Sequence, residues 1–452
     1  MSGQSPKVMG GSILLIVVAI EYMNSMGEEE QKRLEKEKRR LAFAATKTVV
    51  QKEKLNKTQR RELQEKQRLE KLKSNPVLKP KPSLAKPSSD TKPVKRGNIQ
   101  RTVARKSVEL FSHLPQYEKE SSLTLKVNPA SQLHPAIVCL GLKYHDNVIT
   151  GSSARAVAML TSFKEVINDY ETPENQTLSR DLDRHLKPMI QFLIHCRPHS
   201  ITMGNAIKHV RHAITGLSFD LNESQAKESL LDVIDNYLQT RIVLAQQQIV
   251  KIAGSKISEG DTILTFGRSH VVEQTLINAH REGLKFKVVI VNARPRNEGE
   301  LLVKRLAEEG IDCAFILLTS MSYVMESVSK VFLGACSLMS NGAMVGRAGT
   351  ASVAMMAKAF NKPVLVLAAR HKFTEKVQLD SITNNELANP DELILPLSEE
   401  NRSCLYDWRD IPNMNLLNLN YDLTPQEFIT MIISEFGMIP PSSVPVIVRE
   451  KE

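Results

Sequence analysis

Residues 260–291 read GDTILTFGRSHVVEQTLINAHREGLKFKVVIV, and the fold follows from the changes of rhythm within them. Thr262 to Phe266 is a short apolar run that predicts a strand. Val271 to Glu282 then carries apolar residues at helical spacing and is closed by Gly283, and Lys287 to Val291 returns to a continuous apolar run. Unbroken Val, Ile and Leu runs, as opposed to alternating ones, fit strands of a parallel sheet with both faces covered.

The same alternation continues toward the C-terminus. Glu298 to Glu309 predicts a helix closed by Gly310, and Cys313 to Leu318 a third strand. Val331 to Ala335 and Val364 to Ala368 follow as strands, separated by a helix from Thr350 to Phe360. Strand and helix taking turns in this way predict a Rossmann-like parallel-sheet domain over residues 255–452.

Upstream, the chain reads as helices. Over 134–170 apolar stripes are interrupted at Gly141 and Gly151, and the pattern from Ala154 to Tyr170 ends before Pro173. Asn222 to Gln225 has the form of a capping box. Behind it, Leu230, Ile234, Tyr237, Leu238, Arg241, Ala245, Ile249 and Ile252 recur at three and four, predicting one long amphipathic helix that ends at Gly254. Residues 103–254 are therefore expected to form a helical domain.

Charge separates a third region. From Glu28 to Arg101 there are 23 basic and 10 acidic residues, so this segment holds +13 while the whole chain of 452 residues carries +10. Glu28 to Lys73 repeats Lys, Arg, Glu and Gln with sparse leucines, and five prolines between Pro76 and Pro93 neither propagate a helix nor bury a core. Residues 1–102 are read as a basic, Pro-rich, largely disordered arm: a solubilising tail or an RNA-contacting segment, with Phe43 the one stacking residue between Glu28 and Arg101. Ile13 to Ile20 has the length of a signal-peptide core, but one preceding cation and no small-residue cleavage site make a poor signal.

Composition excludes several classes. At 42% hydrophobic the chain can build a core, and 20 Gly and 5 Cys are too few for collagen or a disulfide scaffold. The cysteines have no Cys-x-x-Cys spacing and read as reduced thiols of a cytosolic protein. There is no run of 18 apolar residues, so no membrane span is expected.

In open parallel sheets ligands collect beyond the carboxyl ends of the strands. The loops there hold Gly267 to His270, Asn292 to Gly299, the run NGAMVGRAGT from Asn341 to Thr350, and His371 to Phe373. Arg294, Asn341, Gly342, Arg347, Gly349, Thr350 and Lys372 are candidates for a phosphate pocket. Glycines admit an anion close to the backbone, a helix start offers free N–H groups, and the cations add charge-assisted bonds. The plain alternative is that the glycines make turns and the cations face water. Neither a dinucleotide fingerprint nor a P-loop is present, so no cofactor is expected. His209 and His212, and His195 and His199, lack a third ligand at useful spacing, so no metal is expected either. Cys336 reads as a buried, inert thiol.

Together, TFGRSHVVEQTL (Thr265 to Leu276), ARPRNEG (Ala293 to Gly299), LGACSLMSNGAMVGRAGT (Leu333 to Thr350) and HKF (His371 to Phe373) resemble one family. It joins methylthioribose-phosphate and ribose-bisphosphate isomerases to the regulatory subunits of translation initiation factor two B. HPAIVCLGLKY (His134 to Tyr144) and the closing run YDLTPQEFITMIISEFGMIPPSSVPVIVRE (Tyr421 to Glu450) are similar to its delta-type branch. The resemblance covers about 103–452. It implies a cytosolic, non-catalytic regulatory subunit of a guanine nucleotide exchange complex. Its implied partners are alpha, beta, gamma and epsilon subunits and initiation factor two, whose alpha-subunit phosphorylation it would sense.

Where the isomerases keep a cysteine and an aspartate, this chain has Gly267 and Cys336, and their Asn-Lys pair is here Gly346 and Arg347. The rival expectation is a sugar-phosphate isomerase acting on methylthioribose-1-phosphate or ribose-1,5-bisphosphate. For phosphate sensing, the helical region offers Arg155, Arg180, Arg184, Arg197, Lys208 and Arg211, each expected by default to be solvated.

Overall fold

The computed structural model describes residues 106–116, 133–174, 176–218, 221–394 and 405–449. The basic arm and Ile13 to Ile20 lie outside them. Helices come first: α1 (Pro135–His145), α2 (Ser152–Asp169), α3 (Leu178–Cys196), α4 (Ile201–Thr215) and α5 (Glu223–Tyr237). They close around Leu140, Tyr144, Met159, Phe163, Leu186, Met203 and Ile234, all buried. Gly141 does not interrupt the first of them. It sits buried inside α1, where an added Cβ would stand 2.5 Å from Phe192 Cε1 and 2.8 Å from Cys196 Sγ on α3. Its missing side chain is what lets α1 and α3 approach.

The capping box forms as expected, with Gln225 Oε1 accepting from the Asn222 N–H at 3.4 Å. The helix behind it is not uniform. After α5 the chain runs through a π-helical turn, Leu238–Leu244, before α6 (Ala245–Gly254). Leu238 and Ile242 pack into the helical core, whereas Ala245 and Ile249 pack into the core of the sheet. The wider turn re-phases the apolar stripe where the helix passes from one core to the next.

The sheet strands fall where their apolar runs predict: β1 (Thr262–Phe266), α7 (His270–Arg281), β2 (Lys287–Asn292), α8 (Glu298–Glu308), β3 (Asp312–Leu317), α9 (Met321–Val324) and β4 (Lys330–Gly334). There follow β5 (Ser337–Met339), β6 (Met344–Arg347), α10 (Thr350–Ala359), β7 (Val364–Leu367), β8 (Phe373–Thr374), β9 (Tyr421–Thr424), β10 (Met431–Ser434), β11 (Gly437–Ile439) and α11 (Val444–Arg449). The main sheet has the order β11-β10-β7-β4-β1-β2-β3 and is parallel except for the β10–β11 pair. This is an α/β fold. β3 departs from the expectation of burial on both faces, because it is an edge strand and leaves Phe315 and Leu317 exposed.

A second, four-stranded sheet, β8-β5-β6-β9, takes β6 and the turn leading into it from the segment read above as a phosphate loop. Asn341 and Gly342, with Gly342 at φ +78°, turn a hairpin between β5 and β6. Asn-Gly between apolar flanks is the strongest short hairpin signal, and here it outweighs the glycine-loop reading. None of the helices among the described residues is long and apolar enough to cross a membrane, and no cluster of His, Cys, Asp or Glu among them is arranged to hold a metal ion.

Candidate functional site

The strand order reverses between β1 and β4: from β1 the chain moves outward to β2 and β3, and from β4 in the other direction to β7 and β10. A crevice opens at the carboxyl end of such a switch point. The loops after β1 and β4 meet there, and a Cβ on Gly334 would overlap the Ser269 side chain.

The crevice is lined by Phe266, Gly267, Arg294, Arg296, Glu298 and Arg347, with Asn418 to Asn420 closing one side. Its cavity is about 50 Å³, well below the roughly 300–1,000 Å³ of small-molecule pockets. Glu298 is among the lining residues and is held in an ion pair. Both of its oxygens accept from Arg347, at 2.7 Å from Nη2 and 3.1 Å from Nε. Arg347 also lies over the Tyr421 ring, 5.5 Å from its centroid, because β6 and β9 pair those two residues in register.

Not every candidate comes together. Arg294 and Arg347 line the crevice, with Arg294 at its mouth. Asn341 and Gly342 do not line it, since they make the hairpin turn, where Asn341 Nδ2 donates to Gln378 O at 3.0 Å. Gly349 and Thr350 do open a helix, but Asp422 holds the free N–H groups: its Oδ2 accepts from Gly349 N at 2.7 Å and Ala351 N at 2.9 Å. Burial pushes the Asp422 carboxyl up to about 6, against the pull of those donors. Lys372 is buried and donates to Ala335 O at 2.8 Å, and burial pulls its pKa down. Cys336, the next residue after that carbonyl, has its thiol pKa raised by burial in spite of Arg347 and Lys372.

The phosphate-sensing candidates divide in two. Arg180, Arg184, Lys208 and Arg211 are exposed on α3 and α4, with Arg211 joined to Asp183 at 2.7 Å. Arg155 and Arg197 are buried, at 1% and 4% exposure, which corrects the expectation of solvated side chains. Arg155 lies over the Tyr144 ring and donates to Pro198 O at 2.5 Å. Arg197 pairs with Glu386 at 2.8 Å. Burial lowers the Arg296 pKa, and so do the charges of Arg347 and Arg197, so both of these arginines lie within electrostatic reach of Arg296.

Sequence reasoning missed Arg296, Glu386, Tyr421 and Asp422 as site residues. Tyr421 and Asp422 lay in plain view within YDLTP, where a carboxylate inside a strand-like run is a usable signal, whereas Glu386 sits in a loop without pattern. A larger open groove of about 480 Å³, lined by Thr240, Arg241, Leu244, Gln248, Glu435 and Phe436, holds none of the predicted residues.

Residues 148–441 match the Initiation factor 2 subunit family. The chain is 44% identical over 371 residues to Translation initiation factor eIF2B subunit delta of Dictyostelium discoideum, covering 80% of this chain and 60% of that relative's length. It is 30% identical over 304 residues to Ribose 1,5-bisphosphate isomerase of Pyrococcus furiosus, covering 67% of this chain and 89% of that one. Among solved structures, the tetrameric eIF2B-beta2-delta2 complex from C. thermophilum contains a chain that aligns with a TM-score of 0.63 at 32% identity. That alignment covers 73% of this chain and 97% of the other.

Proposed function

The chain belongs to the Initiation factor 2 subunit family, and from that premise we propose that it is a non-catalytic, delta-type regulatory subunit of the exchange factor that recharges initiation factor two with GTP. The observation that carries this reading is the state of the crevice. Gly267 offers no side chain where the isomerases keep a cysteine, and Cys336 holds a thiol whose pKa burial has raised. Neither is suited to moving a proton between adjacent sugar carbons near neutral pH. The cavity is also small and already occupied by an internal ion pair.

In this reading the chain works in the cytosol with alpha, beta, gamma and epsilon subunits, and the epsilon subunit performs exchange. The exposed cations Arg180, Arg184, Lys208 and Arg211 on α3 and α4 meet the phosphorylated alpha subunit of initiation factor two. Inhibition then requires that the phosphorylated form bind one state of the assembly better than another. The test is to recover the tagged chain from extracts and identify what copurifies. Sister subunits in fixed proportion are expected, and a chain that emerges alone would end the proposal.

The second reading, a sugar-phosphate isomerase, draws on the identity to the Pyrococcus enzyme. Turnover of ribose-1,5-bisphosphate or methylthioribose-1-phosphate by the purified chain would favour it, and none is expected.

A further inference from the structure

We propose that Glu298 is a resident occupant of the crevice's anion seat, a carboxylate that holds Arg347 and thereby sets the crevice against phosphate-bearing ligands. The proposal rests on the regulatory reading and names the residue that determines what its crevice accepts.

Among the described residues, three arginines line the crevice, Arg294, Arg296 and Arg347, and Glu298 is the one carboxylate that lines it. Both Glu298 oxygens are engaged by Arg347. The carboxylate also hangs across the loop after β1, with Oε2 3.9 Å from where a Cβ on Gly267 would stand. Donors are left over, because Nη1 of Arg347 and Nη1 of Arg296 are buried without a hydrogen-bond partner among the described residues. The crevice therefore has more cationic donors than its own carboxylate satisfies, yet little room to admit anything else.

Arginine grips carboxylate and phosphate with the same planar fork. A phosphate entering this crevice must take the place of the Glu298 carboxylate on Arg347. The tethered group wins that competition, because it is always at hand and leaves no buried ion unpaired on either side. Removing it reverses the balance: Arg347 becomes a cation without a counter-ion, its side chain only 20% exposed, and a tetrahedral anion is then the group best able to restore the pair.

The experiment compares thermal unfolding of the full chain and its Glu298→Ala variant in chloride and in inorganic phosphate at matched ionic strength, with phosphate affinity measured by equilibrium dialysis. The variant is expected to melt below the native chain in chloride, to recover in phosphate, and to bind phosphate about tenfold more tightly than the native chain or better. If the variant does not fold in chloride, its refolding yield in phosphate becomes the measurement, and equal failure in both salts overturns the proposal. The double variant Glu298→Ala with Arg347→Gln must lose the response. Native binding as tight as the variant's, an unresponsive variant, or a responsive double variant would each reject the idea. None of these results bears on whether sister subunits copurify, so the regulatory reading stands or falls separately.

Discussion

Arg197 and Glu386 show how much an ion pair's worth depends on its surroundings. Their side chains are 5% and 12% exposed, they meet at 2.8 Å, and Glu386 Oε1 also accepts from Asn420 Nδ2 at 2.8 Å. The pair thus fastens the end of α3 to the chain that enters β9. Deleting one partner of such a pair leaves the other buried and unmatched, so Glu386→Ala is expected to cost about 3–5 kcal/mol. A urea titration would show this as a lower midpoint with unchanged slope. Lys287 and Asp312 provide the contrast, at 3.5 Å and 71% and 66% exposed. There Asp312→Ala should change stability by less than about 0.5 kcal/mol, since water already screens both ions. Equal losses at the two sites would refute this ordering.

Packing between α1 and α3 turns on the absence of a side chain at Gly141. Gly141→Ala drives a methyl group into Phe192 and Cys196, and such overpacking is expected to cost about 1–3 kcal/mol, read as a lowered melting temperature. Without the structure, Gly141 looks like a break, because glycine stops helices and permits close helix contact alike, and one sequence does not say which. Elements defined by local pattern were legible: β1, β2, α7, α8 and α10 follow their apolar runs and closing glycines, and the capping box at Asn222 forms. Elements defined by distant partners were not. β5, β6 and β9 are strands only because they pair with one another, and the π-helical turn answers to two different cores. The same holds for the site. The loops at the strand ends could be read from the sequence, but not that Glu298 and Asp422 had already taken the places open to an anion.

The helical layer and the sheet are joined at His371, and this junction should give the molecule a characteristic dependence on pH. His371 lies just before β8, its Nδ1 2.8 Å from the Arg241 carbonyl in the π-helical turn and its Nε2 3.0 Å from Ser153 Oγ on α2. A carbonyl only accepts, so Nδ1 carries the proton and Nε2 accepts from the Ser153 hydroxyl. Burial, reinforced by Lys372, pulls the imidazole pKa down to about 3, whereas in the unfolded chain it is about 6.5. The unfolded state therefore takes up this proton first. The stability that His371 contributes is complete above about pH 6.5 and is lost as pH falls toward 3, at up to about 1.4 kcal/mol per pH unit. Asp422 acts in the opposite sense, since its folded pKa of about 6 makes the native state the first to bind a proton as pH falls, and Glu435, also raised by burial, does likewise. The total slope mixes these groups, so the informative quantity is the stability difference between the native chain and His371→Gln. The variant keeps the main-chain anchoring of this segment, because Asn205 Nδ2 donates to the carbonyls of residues 371 and 373. That difference should be largest near pH 7 and narrow steadily toward pH 5 in urea titrations. A gap that stays constant with pH would show that the imidazole packs at this junction without being held neutral by it.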